Sequence, residues 1–205
     1  MTRRSLLALG LLLFATASVS FSAEKPKVRC ITAFVRLDRT QYQTQVRDAL
    51  VTLRAAKAAF EKGGYEVETI RISTQPFPEI ISGLDDAEAI AFFKVYDKLA
   101  EKEGFDAAIG PAMLSDADDQ RKVELLGEII RSTNILNGSI VVGGEDGVYW
   151  NAVRSAAALM KTLSEKTPHS QGNFRFSATA MLPTDTPFYP GSYHMGAGRQ
   201  FAVGL

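Results

Sequence analysis

The sequence is poor in the residues that build redox and metal sites. It holds one cysteine, Cys30, and two histidines, His169 and His194, among 205 residues. A single cysteine cannot close an internal disulfide. With so few thiols and imidazoles, a zinc site built from Cys and His within the chain lacks ligands. Neither sign of charge is in excess, since 23 basic and 23 acidic residues give a formal net charge of +0. That balance argues against nucleic acid as a partner, because phosphate neutralisation needs clustered Lys and Arg. There is no Gly-x-Ser-x-Gly nucleophile elbow, no P-loop and no dinucleotide fingerprint. Cys30 falls in an apolar, strand-like run and reads as a buried, inert thiol.

The one long uncharged stretch lies at the start. Arg3 and Arg4 precede an uncharged run over residues 5–23 with an apolar heart at 6–14. That is the order of a secretory signal peptide, and the heart is shorter than the ~20 residues a membrane-spanning helix needs. Residues 1–23 are therefore expected to be a signal peptide. The protein is expected to be exported, to the periplasm or the extracellular space, and to stay on a membrane only if the signal is uncleaved. Thr2-Arg3-Arg4-Ser5-Leu6-Leu7 also resembles the twin-arginine export motif.

Residues 24–205 alternate strand-like and helix-like patterns. Strand-like runs occupy 28–37, 67–73, 106–110, 139–142 and 173–182, with a last apolar run at 201–205. Between them, helical stripes are set by Val46, Ala49, Leu50, Leu53, Ala56 and Phe60, then by Ala89, Phe92, Phe93, Tyr96, Leu99 and Ala100. Shorter stripes follow at Val123, Leu126 and Ile130, and at Val153, Ala156, Ala157, Met160 and Leu163. Asp85 with Glu88 predicts a capping box. Phe60, closing the first stripe, is expected to be buried. The alternation predicts one α/β domain with a mostly parallel sheet and crossover helices.

In such folds ligands bind at the carboxyl ends of the strands. That rule selects Asp38, then Ser73, Thr74 and Gln75 on a Pro-stiffened loop, then Gly143 and Gly144 before a helix. It also selects the loop holding Pro187-Phe-Tyr-Pro-Gly-Ser-Tyr-His194. His194 is the candidate acid/base, since its reference pKa lies near neutrality, with Asp38 as its candidate partner. Ser73, Thr74, Gln75, Arg175, Gly143 and Gly144 are candidate substrate contacts. Arg175 has a second reading as a brace of the core, because it lies within a strand-like run. Asp116, Asp118 and Asp119 read as charges favouring the N-terminus of the third helix rather than as a metal site.

Several segments resemble one family. They are Val28-Arg-Cys-Ile-Thr, the run from Gly64 through Thr69-Ile-Arg-Ile-Ser-Thr-Gln-Pro-Phe77, Ile109-Gly-Pro111, Asn173-Phe-Arg-Phe, the His194 loop and Phe201-Ala-Val-Gly-Leu205. Together they resemble the N-terminal half of the domain-of-unknown-function family 711, also called uncharacterised protein family 0210. The resemblance implies a partial β/α barrel related in shape to glycyl-radical enzymes. It implies no established activity and no particular cofactor. Family members are about twice this length and usually cytosolic. A half barrel leaves a strand edge unpaired, so self-association or a partner chain supplying the missing half is expected. The functional expectation is an exported protein that binds a small polar molecule at the strand carboxyl ends, either as an acid/base or hydrolytic enzyme or without catalysis. The alternatives are a solute-binding or assembly protein, and a truncated half barrel without activity.

Overall fold

The computed structural model describes residues 25–205. The expected signal peptide lies outside them. Five strands run parallel in chain order: β1 (Val28–Val35), β2 (Val67–Thr74), β3 (Asp106–Pro111), β4 (Leu136–Gly144) and β6 (Phe176–Ala180). The two-residue β5 (Gly147–Val148) folds back on the end of β4. β7 (Gln200–Gly204) pairs antiparallel with β1. The sheet is open, with β7 at one edge and β6 at the other. A strand order that follows the chain is that of a partial barrel. Right-handed crossovers in that order deliver every helix to the same face.

That face is the apolar core. Ile31, Ala33 and Val35 of β1, Ile70 and Ile72 of β2, Ala107 and Ile109 of β3, and Leu136 and Ile140 of β4 alternate inward and join one buried cluster. α1 (Tyr42–Lys62) contributes Val46, Ala49, Leu50 and Leu53. After the single-turn α2 (Phe77–Ile80), α3 (Asp86–Glu103) adds Ala89, Phe93, Tyr96 and Ala100. α4 (Arg121–Ser132) and α5 (Trp150–Lys166) complete the layer. The capping box forms: Asp85 accepts from the Glu88 N–H at 2.8 Å, and Glu88 accepts from the Asp85 N–H at 3.0 Å.

Some expectations need correction. Phe60 is only half-buried, because it ends the stripe beyond the sheet and rests edge-on against Tyr65. The last apolar run does form a strand, but an antiparallel one. The run expected as a strand from residue 173 begins three residues later. Residues Pro168–Arg175 instead form 3-10 turns, broken where His169 and Ser170 take positive φ.

The acidic cluster spreads over three jobs. Asp116 accepts from the N–H groups of Asn151 and Ala152, so it caps α5 rather than α4. Asp118 holds the Leu114 and Ser115 N–H groups of its own loop. Asp119 pairs with Arg121 in the first turn of α4.

The opposite face of the sheet is polar. Strand alternation puts Cys30, Thr32 and Phe34 of β1 beside Thr69, Arg71 and Ser73 of β2. Asp106 and Ala108 follow on β3, Asn137 and Ser139 on β4, and Ser177 and Thr179 on β6. Among the described residues no helix covers this face. The segment 181–199 lies across it instead. Pro187 sits near Cys30, with its carbonyl 3.8 Å from the thiol sulfur. The Tyr189 hydroxyl accepts from the Asn137 amide, and its ring takes the Arg71 guanidinium at 4.5 Å. Ser73 donates to Ser192 at 2.8 Å. Cys30 is buried, as expected.

Candidate functional site

The covering segment descends over the amino halves of the strands at Pro187 and Tyr189. It then returns to their carboxyl ends at Ser192 to Met195. The return is fixed by the backbone: the His194 N–H donates to the Thr74 carbonyl at 3.0 Å. Beside it a cleft of about 520 Å³ opens at the strand carboxyl ends. Gly143 and Gly144 of β4, Met181 and Leu182 after β6, and Tyr193 and Met195 of the covering segment line it. Met181 reaches it through a left-handed turn, φ 56°, while its N–H holds the Gly143 carbonyl at 3.1 Å. At Gly144 a Cβ would press on the Tyr149 hydroxyl, so a larger residue there would displace that ring. Grooves of about 600 and 690 Å³ also occur, between α4 and α5 and at the amino end around Arg175. Neither lies where strand ends and a covering loop converge, so the smaller cleft is the candidate site.

Its polar equipment is sparse. Burial and the nearby Asp185 hold the Tyr193 phenol above its ordinary range, so it remains a donor at neutral pH. Among the described residues its acceptor is the Leu182 carbonyl, at a loose 3.4 Å. Tyr149 is committed to Asp146 at 2.6 Å, and that hydrogen bond raises its pKa. The remaining polar groups at the rim are Glu145, Thr184 and the glycine backbone.

His194 is fully buried and fully occupied. Nδ1 lies 2.7 Å from the Asp185 carboxylate, and Nε2 lies 3.1 Å from the Gly198 carbonyl. Both nitrogens therefore face acceptors, which leaves neither free to exchange a proton with a ligand. Asp185 adopts φ 59°, a left-handed conformation that Asp tolerates better than most residues. The carboxylate on His194 is thus Asp185, nine positions away in the chain, and not the expected Asp38. Asp38 is exposed at the end of β1, where its carboxylate accepts from the Thr40 hydroxyl and N–H. Those bonds hold its pKa below the ordinary range.

The other expected contacts divide. Gly143 and Gly144 line the cleft. Ser73 is buried against Ser192 on the polar face. Thr74 is buried and directs its hydroxyl to the Gln75 carbonyl. Gln75 is spent on the backbone of Leu37, accepting from its N–H at 2.8 Å and donating to its carbonyl at 2.9 Å. Arg175 sits at the opposite, amino end. It donates to the carbonyls of Ile130 and Thr133 and so caps the C-terminus of α4. Burial lowers its pKa.

Residues 20–205 match the family described as Uncharacterised ACR (DUF711). The chain belongs to the DUF711 family. A relative named UPF0210 protein in Pyrobaculum islandicum is 36% identical over 146 residues, which cover 68% of this chain and 31% of the relative. Another UPF0210 protein, in Pyrobaculum arsenaticum, is 32% identical over 73% of this chain and 33% of its own length. A third, in Neisseria meningitidis serogroup B, is 28% identical over 78% of this chain and 36% of its own. The match therefore spans about a third of these DUF711 relatives.

Sequence reasoning selected Tyr189 only as part of the His194 loop, did not pair Asp185 with His194, and missed Asp97. Asp185 follows a Thr in an unpatterned loop and carries no local signal. Asp97 is buried on α3 and accepts from the N–H groups of Asn134, Ile135 and Leu136. A carboxylate on the apolar face of a helical stripe was the signal that could have exposed it.

Proposed function

We propose that this DUF711 chain binds a small molecule with an apolar body and one polar handle in the cleft at the strand carboxyl ends. The observation that carries the reading is the cleft's lining: Leu182, Tyr193 and Met195 form apolar walls, with the Tyr193 hydroxyl left loosely used. This narrows the expected ligand from small and polar to amphipathic. His194 acts here as a positioning residue. It ties Asp185 and Gly198 together within the covering segment, and so sets where Tyr193 and Met195 stand. The reading favours binding over acid/base catalysis. Among the described residues no group of three or more His, Cys, Asp and Glu is placed to hold a metal ion.

The test uses ligand-observed NMR with para-cresol and benzamide, each an apolar ring with one polar handle. Saturation transfer is expected from the native chain. It should be lost in Met195→Trp, which fills the cleft from a partly exposed position, and retained in Val51→Trp on α1. Transfer that survives Met195→Trp, or is absent from the native chain, overturns the reading.

Export is the second part of the proposal. Its support is the order of charged, apolar and small residues over 1–23. N-terminal sequencing of protein from the native host tests it, with a start between residues 18 and 24 expected. An intact Met1 on cytoplasmic protein would refute it. If the twin-arginine route is used, replacing Arg3 and Arg4 with Lys should stop export.

A further inference from the structure

The turn over residues 195–198 is held by one side chain. Among the described residues its backbone makes a single hydrogen bond, in which the Gly198 carbonyl faces Nε2 of His194 at 3.1 Å. Arg199, just beyond the turn, is tied at the surface to Asp48. The turn wraps the ring closely, since a Cβ at Gly196 would lie 2.8 Å from the ring carbon Cε1. The ring is fully buried, and its Nδ1 lies 2.7 Å from the Asp185 carboxylate.

These two contacts fix a proton count. A carbonyl and an ionised carboxylate offer lone pairs only, so each contact needs one proton. The ring and the carboxylate must therefore hold two protons between them, either as an imidazolium on a carboxylate or as a neutral ring on a protonated acid. A neutral ring beside an ionised carboxylate holds only one. The two groups titrate as a unit, and the count belongs to the pair. The surroundings add little charge. From β1 the Phe34 ring lies 6.2 Å from the imidazole, and from β2 the Thr74 carbonyl takes the His194 N–H. Gln200, at the start of β7, is uncharged. After β1, Arg36 is paired with Glu79, and Asp38 is bonded to Thr40. In the covering segment the Tyr193 phenol is the next titratable group, and it feels Asp185.

We infer that protonation of the His194–Asp185 pair latches the 195–198 turn, and that loss of one proton as pH rises releases it. The remaining proton stays between the ring and the carboxylate, because a hydrogen bond to a charged acceptor is the stronger. Nε2 then turns a lone pair toward the Gly198 carbonyl, and the contact becomes repulsive. The turn leaves the ring and carries Met195, a wall of the cleft, with it. The latched form binds one more proton than the released form, so it is favoured as pH falls and lost as pH rises. The effect on the cleft rests on reading that cleft as the ligand site; the release of the turn does not.

Magnetic resonance of the native chain over a pH series spanning the ordinary range of an imidazole tests the inference. The ring nitrogens of His194 report the proton, and relaxation of the Met195, Ala197 and Gly198 amides reports the order of the turn. Both should change in one step, with order lost on the alkaline side. Asp185→Asn is the sharper arm. Its amide donates to Nδ1, so a neutral ring completes both contacts with no extra proton. Asn also tolerates the left-handed backbone at that position. The turn should then stay ordered across the whole series, whereas a merely structural role for the carboxylate predicts disorder at every pH. Circular dichroism shows whether the variant folds; if it does not, the native series decides alone. Turn order that does not follow the titration of the ring overturns the proposal, and so does an alkaline step that survives in Asp185→Asn. Saturation transfer from para-cresol at the two ends of the series separates the cleft from the latch. It should fall as the turn is released. Equal transfer at both ends would uncouple the cleft from the latch, and transfer absent at both would overturn the ligand reading while the latch stands.

Discussion

The two faces of this sheet are covered by different means. On one, four long helices press Ile31, Ile72, Ile109 and Ile140 against Phe93, Tyr96 and Leu126, all fully buried. On the other, an irregular segment is held by individual bonds: Ser73 to Ser192, Asn137 to Tyr189, Thr74 to His194. The helical face is insensitive to the identity of any one apolar residue as long as volume is kept. The polar face depends on each partner being present, because an orphaned buried donor or acceptor keeps its desolvation cost. The first face makes the fold stable, and the second places the cleft.

This contrast orders the expected effects of substitution. Phe93→Ala, at the centre of the helical face, should cost about 3–5 kcal/mol in a denaturant titration. Ser73→Ala, which strands the buried Ser192 hydroxyl, should cost about 1–3 kcal/mol and loosen the covering segment in hydrogen exchange while the helices stay protected. If it costs as much as Phe93→Ala, the two faces are one cooperative core and the distinction fails. Phe60→Ala, on a half-buried ring, should cost about 1–2 kcal/mol. A loss as large as that at Phe93 would place the end of α1 in the core after all.

The smallest effect concerns Asp106. Burial raises its pKa, with Arg71 partly opposing the shift. A carboxyl whose folded pKa is raised adds stability below its unfolded value and loses it as pH rises through the folded one. Asp106→Asn should therefore match the native chain at acid pH and gain slightly on it as pH rises past the ordinary carboxylate range. A gain in the opposite direction would mean that the Arg71 pair outweighs burial.

The helical face was legible because a 3.6-residue stripe and a charge-poor strand each leave a local pattern. Val46, Leu50 and Leu53, or Phe93 and Tyr96, announce their own burial. The shared direction of β1, β2, β3, β4 and β6 followed from the alternation of elements, whereas the antiparallel course of β7 did not. The polar face was not legible in the same way. Ser73 and Thr74 read as loop hydroxyls waiting for a ligand because nothing local shows that another segment will lie on them. His194 stands out in the sequence, but Asp185 could not be preferred to Asp38 as its carboxylate without the path of the covering segment. Arg175 kept two readings, substrate contact and brace of the core, for a simpler reason. Starting the strand at Phe176 rather than at residue 173 moves the guanidinium to the amino end, where helix carbonyls await it. Gly143 and Gly144 could be selected from the sequence because glycines between a strand-like run and a helical stripe leave a local signal.

The pairing of β7 with β1 has a consequence for synthesis. Cys30 lies opposite Gly204 and Ile31 opposite Val203, so β1 is completed by a segment made long after it. Until β7 is made, the outer edge of β1 lacks this partner. Closing that pair spans a long sequence separation, which makes it a slow, high-contact-order step. The nascent protein thus carries an open strand edge during the period when other chains are most concentrated around it, the state in which unpaired edges misassemble.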